Sequence, residues 1–68
     1  MIDLLDTKEA ASLLRLKPNT LDKMRFQKRG PTYVKLGRKV FYRREDLHLW
    51  VDQNTHRLIK EHLVLSGV

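Results

Sequence analysis

Pro18 constrains this chain more than any other residue. Proline suits the first position of a helix, where its missing N–H is no loss, and breaks a helix anywhere further in. Ahead of it, Ala10, Leu13 and Leu14 fall at i, i+3 and i+4 and mark one apolar helical face. Asp6-Thr7-Lys8-Glu9 supplies the start signal, with a capping side chain at Asp6 or Thr7 and Glu9 spaced to complete a box from Asp6. This predicts a helix over Thr7–Leu14, with Ala10 and Ala11 small enough to let another helix approach closely. Beyond Pro18, Leu21 and Met24 face inward while Asn19, Thr20, Lys23 and Gln27 point elsewhere, which predicts a second helix over Pro18–Gln27. With only about three residues between them, the two helices must turn sharply on one another.

Gly30-Pro31 ends the helical region and opens an extended one. Tyr33-Val34-Lys35-Leu36 and Val40-Phe41-Tyr42-Arg43 flank Gly37-Arg38-Lys39 and read as a β-hairpin. A two-residue turn pairs Leu36 with Lys39 and Val34 with Phe41. A three-residue loop pairs Leu36 with Val40 and Val34 with Tyr42, gathering four apolar side chains on one face. A one-residue slip turns that set over, so burial favours the longer loop, although such a loop usually places its glycine last. Arg44-Glu45-Asp46-Leu47 then opens a third helix with acids in its first turn, where the macrodipole favours them. Leu47, Trp50 and Val51 form its apolar face to about Gln53, and Asn54-Thr55 marks a break or a new cap. The expected core is Ala10, Leu14, Leu21, Met24, Val34, Leu36, Val40, Tyr42, Leu47 and Trp50.

With 68 residues and no cysteine, one domain must rest on a single apolar core, without disulfides or a thiolate zinc site. Residues 1–53 are read as that domain. Residues 54–68, with Leu58, Ile59, Leu63 and Leu65, are read as a C-terminal extension, either a fourth helix or a frayed tail. No apolar run approaches the roughly 20 residues needed to span a bilayer, and the acidic N-terminus is unlike a signal peptide. A soluble, cytoplasmic protein is expected. The formal charge of +6, with pI near 10.1, favours a polyanionic partner. Lys17 to Arg44 holds most of the bases and a single acid, Asp22, so the positive field centres on the middle of the chain.

In this order the residues resemble a known family. Leu5-Asp6-Thr7-Lys8-Glu9-Ala10-Ala11 resembles an L-x-T-x-x-E/A-A opening, and Pro18-Asn19-Thr20-Leu21 an S-P-x-T-L start to a second helix. Val34-Lys35-Leu36-Gly37-Arg38-Lys39, followed by Tyr42-Arg43-Arg44-Glu45-Asp46-Leu47-His48-Leu49-Trp50, is similar to x-K-x-G-R-x … y-R-x-x-D-L-x-x-W. These features belong to excisionase-like and AlpA-like DNA-binding proteins, relatives of the MerR DNA-binding domain. The resemblance covers about Leu4–Val51. It implies an α+β fold, a small winged helix-turn-helix, whose second helix enters the major groove and whose hairpin wing tracks the backbone or minor groove. It also implies bacterial or phage origin, association with the nucleoid, and a role in recombination or transcription near prophages and other mobile elements. Two positions depart from the pattern. Arg15 stands where a glycine often ends helix 1, at a cost of roughly 1 kcal/mol if left-handed, and Lys17 stands where Ser or Asp usually caps helix 2.

Chemistry assigns roles to the exposed positions. Pro18 opens the reading helix. Asn19 can pair with adenine, Thr20 can meet a thymine methyl, and Lys23 can donate to guanine or phosphate; the alternative for all three is a solvated helix face. Asp22 opposes phosphate and is expected to point sideways. Arg25, Gln27, Lys28 and Arg29 read as phosphate clamps. Arg38 and Lys39 sit at the wing tip, flanked by Lys35 and Arg43; an arginine there can enter a minor groove, or the charges simply keep the hairpin soluble. Phe41 faces away from the core beside Lys35, to press on a sugar, be covered by the C-terminal segment or contact a neighbouring protomer. The helix 1 N-terminus at Thr7 and Glu9 offers amides to a phosphate.

No catalytic set and no cofactor site is legible, so no enzyme is expected. His48, Asp52 and His56 share an i, i+4, i+8 spacing that Asn54-Thr55 interrupts, and no metal site is expected. The leading function is sequence-specific double-stranded DNA binding, as an excisionase-type directionality factor or a small transcriptional regulator. Such a protein is expected to be a monomer in solution that gains affinity from neighbouring copies on DNA. The rival is a protein-interaction module that docks an integrase or another partner through the C-terminal segment. RNA binding ranks third, since no aromatic stacking platform is visible.

Overall fold

The capping box forms. Asp6 Oδ1 accepts from the Glu9 N–H at 2.7 Å, and Glu9 Oε1 accepts from the Asp6 N–H at 2.9 Å. In the computed structural model, which describes residues 3–56, this box starts helix α1, Thr7–Leu14. α1 ends on Arg15 in the left-handed region, φ 61°. The Leu16 N–H closes the end on the Ala11 carbonyl at 2.8 Å, and the Arg15 N–H on Ser12 at 3.1 Å. That is the hydrogen-bond pattern of a glycine-ended helix. Helix α2, Pro18–Phe26, begins from Lys17, whose side chain makes no cap; the Thr20 and Leu21 amides use the Lys17 carbonyl, at 2.9 and 3.1 Å. α2 stops one residue short of the expected end, with Gln27 as its cap. Its exit repeats that of α1: Lys28 is left-handed at φ 58°, and the Arg29 N–H reaches the Met24 carbonyl at 2.9 Å. Gly30 follows where a Cβ would come within 3.2 Å of Met24 Cβ.

The sheet holds one strand more than the sequence announces. β1, Leu4–Asp6, runs directly into α1 and pairs antiparallel with β3, Lys39–Arg43, whose other edge carries β2, Val34–Leu36. Three residues are too few for alternation to register as a signal. The hairpin register is the two-residue one: Val34 faces Phe41, Lys35 faces Val40 and Leu36 faces Lys39. The longer loop is therefore wrong, and glycine chemistry is the reason. Gly37 is left-handed at φ 65° and leads the turn, as tight hairpins with glycine at the first central position require.

That register changes the core. Leu5, Val40 and Tyr42 lie on the side of the sheet that meets the helices, together with Lys35. Leu4, Val34, Leu36 and Phe41 lie on the other side. Val34 is half-buried there and Leu36 is 52% exposed, so neither belongs to the main core. Phe41 does face away from the helices, but it stands beside Val34 and Asp6 rather than Lys35. The buried set is Leu5, Ala10, Ala11, Leu21, Tyr42 and Leu47, with Leu14 and Val40 packed against it. Leu5 fills the place the sequence reading gave to β2. Met24 and Trp50 are half-buried, and Leu13 and Val51 turn out to solvent. Ala10 and Ala11 are fully covered, and α1 packs against α2, β3 and α3. The Tyr42 hydroxyl is buried without a hydrogen-bond partner among the described residues.

Helix α3, Arg44–Gln53, has the expected bounds. Asn54-Thr55 is a break: Asn54 Nδ2 donates to the Trp50 carbonyl and Thr55 Oγ1 to that of Val51, both at 2.8 Å. His48, Asp52 and His56 thus share no continuous helical face. Leu58, Ile59, Leu63 and Leu65, and any fourth helix, lie outside the described residues.

Candidate nucleic-acid interface

Burial of Leu21 decides which side of α2 is free. At 100° per residue, the positions opposite Leu21 are Asn19, Lys23 and Phe26. All three are exposed, Phe26 to 77%. Pro18 is exposed at the first helical position; Thr20 is half-buried, turned toward the side that carries Gln27. Gln27 is exposed, and its side-chain oxygen accepts from Arg29 Nε at 2.8 Å.

The C-terminal end of α2 and the hairpin enclose an open groove of about 610 Å³. Arg25, Lys28, Lys35 and Arg38 bring positive charge to its walls, and Phe26 and Tyr33 bring aromatic surface. The two-residue register puts Lys35 there, because it turns β2 so that Lys35 faces the helix side beside Val40. Lys39 begins β3 opposite Leu36, on the outer side of the sheet. The two wing lysines therefore diverge, with Arg38 between them at the turn.

Ion pairs sort the bases into two groups. Arg25 donates to Asp22 at 2.7 Å, Arg43 to Asp46 at 2.7 Å and Arg44 to Asp3 at 2.7 Å. The Arg25 guanidinium also lies 4.9 Å from the Phe26 ring centre and 5.8 Å from that of Tyr33, within cation–π range of both. Its pKa is held above the ordinary value by the nearby Tyr42 hydroxyl first, then by Asp22. The hydroxyl has no hydrogen-bond partner among the described residues, so its effect on Arg25 is one of proximity. With its side chain only 14% exposed, Arg25 is a fixed wall of the groove rather than a mobile clamp. Arg43, which Asp46 likewise keeps protonated, sits at the end of β3 away from the turn. Lys23, Lys28, Lys35, Arg38 and Lys39 are exposed and make no ion pair among the described residues.

Sequence reasoning missed Phe26 and Tyr33 as parts of this surface. The signal for Phe26 was present: with Leu21 and Met24 on the inward face, helical spacing already puts Phe26 on the outward side with Asn19 and Lys23.

Two helices joined by a tight turn, with a three-stranded sheet whose hairpin stands beside the second helix, define a winged helix-turn-helix. The chain belongs to the helix-turn-helix domain family, which contains the AlpA-like and excisionase-like proteins and whose pattern matches residues 4–55. Membership supports DNA binding in general, and the family is typically non-enzymatic. No curated relative matches the chain. Among the described residues, no helix is long and apolar enough to cross a membrane.

Proposed function

We propose that the protein reads a short duplex DNA site, with α2 in the major groove and the Gly37-Arg38 wing on the adjacent backbone or minor groove. Asn19 and Lys23 read base edges, and Thr20 contributes from the flank. Pro18 and Gln27 bound the reading helix, and Lys28, Lys35, Arg38 and Lys39 hold phosphates. One observation carries the reading: the solvent stripe Asn19, Lys23 and Phe26 of α2 ends at Phe26 in the groove that Arg25, Lys28, Lys35 and Arg38 also line, which joins the base-reading and phosphate-holding surfaces. Arg43 contributes least, because a phosphate would have to compete with Asp46 for it. The family resemblance supports an excisionase-type directionality factor or a small regulator of a mobile element as the output, with neighbouring copies on DNA adding affinity.

Titration of the protein against a randomised duplex pool at two salt concentrations, with sequencing of the retained DNA, tests this. A short enriched motif is expected, and tandem copies of it would favour the cooperative, architectural role. Retention without enrichment would reduce the protein to a non-specific polycation and end the reading.

A further inference from the structure

Among the described residues Phe26 is the most exposed of the large apolar side chains, and a single exposed aromatic needs no explanation by itself. Its position supplies one. Asn19, Lys23 and Phe26 fall within about 60° of one another around α2, on the side opposite Leu21, so the ring continues the line of the two proposed base readers. The line is about 10.5 Å long at 1.5 Å per residue, the length of about three base-pair steps. The ring is also braced. The Arg25 guanidinium lies against it at 4.9 Å and is itself tied to Asp22 at 2.7 Å. Phe26 therefore presents a rigid apolar face amid polar and cationic neighbours, at a place that α2 would carry into the groove.

The major groove offers such a face one apolar group, the C5-methyl of a pyrimidine. We infer that Phe26 reads a C5-methyl at one end of the site: that of thymine in ordinary DNA, or of 5-methylcytosine in modified DNA. This rests on the reading of α2 as the major-groove helix. It moves the thymine contact that residue chemistry suggests for Thr20 onto Phe26, since Thr20 is half-buried off the stripe.

The test uses the full chain and the duplex recovered from the randomised pool. Each thymine is replaced in turn by deoxyuridine, which deletes only the methyl, and each cytosine in turn by 5-methylcytosine, which adds only the methyl. The protein, Phe26→Ala and Phe26→Leu are titrated against the set. The unaltered protein should lose about fourfold in affinity at one thymine, or gain about fourfold at one methylated cytosine, the transfer value of one methyl-sized group. The first result identifies thymine as the source and the second 5-methylcytosine. Phe26→Ala should be indifferent at that position and Phe26→Leu should keep part of the preference, with melting temperatures unchanged because the ring is outside the core. Three results overturn the inference: indifference of the unaltered protein to every substitution, discrimination surviving in Phe26→Ala, or uniform loss in Phe26→Ala with no methyl effect. The last would make the ring a backbone or stacking contact. Failure of the DNA reading itself has a different signature, because the pool then yields no motif to substitute.

Discussion

Replacing Arg38 and Arg43 by glutamine removes the same charge from the hairpin turn and from the far end of β3, and should have opposite consequences. Arg38 stands at the turn and lines the groove without an ion pair among the described residues, whereas Arg43 is bonded to Asp46, whose side chain is 13% exposed. Counting Lys28, Lys35, Arg38 and Lys39 as phosphate contacts and leaving Arg43 out, log K should fall against log salt with a slope of about −3.6, at about −0.9 per phosphate. Between 50 and 200 mM salt that is a loss of about 150-fold in affinity. Arg38→Gln should bring the slope to about −2.7 and the loss to about 40-fold. Arg43→Gln should leave the slope near that of the parent and lower the melting temperature, because Asp46 loses its partner. Fluorescence anisotropy with a labelled duplex at four salt concentrations measures this, and any duplex serves because the term is independent of sequence. Equal flattening by the two variants, or an unmoved slope for Arg38→Gln, would refute the sorting of bases by ion pairing.

Two further outcomes follow from the fold. Arg15→Gly should relieve the left-handed position at the end of α1 and stabilise the protein by about 1 kcal/mol, seen as a rise of about 4–8 °C in melting temperature for a domain of this size; Arg15→Ala should give no such gain, and an equal gain would mean that charge rather than backbone was at issue. The register is checked by a pair of threonines. Leu36→Thr, on an exposed site, should stay within about 0.5 kcal/mol of the parent in urea denaturation, while Val40→Thr should cost about 1–3 kcal/mol by placing a hydroxyl against the core; a comparable cost at Leu36 would restore the longer loop, which puts both side chains on the core face.

Local signals decided most of the architecture. The capping box at Asp6, the proline at the start of α2 and the acids opening α3 each act within one helical turn, so residues 6–9, 18 and 44–46 located three helices without knowledge of what packs on them. The hairpin, the charge of its tip and the basic centre of the chain were legible for the same reason. The left-handed exits at Arg15 and Lys28 are the exception among local features: hydrogen bonds to Ala11 and Met24 carbonyls draw non-glycine residues there, and at Lys28 the strain carries a cation into the groove.

What the tertiary structure alone decided is which surface each residue shows. Four apolar side chains on one face of the hairpin looked like the better core because the hairpin was read by itself. Once β1 pairs with the far edge of β3, Leu5 covers Tyr42, the helices need only Val40 and Tyr42 from the hairpin, and Val34 and Leu36 are released to the other side. The same switch turns Lys35 into the groove that Phe26 also lines. Sequence periodicity reports that a side chain is apolar or charged at a given spacing. Which partner it meets depends on pairing between segments some 37 residues apart, such as Leu5 with Tyr42, and no local pattern carries that information.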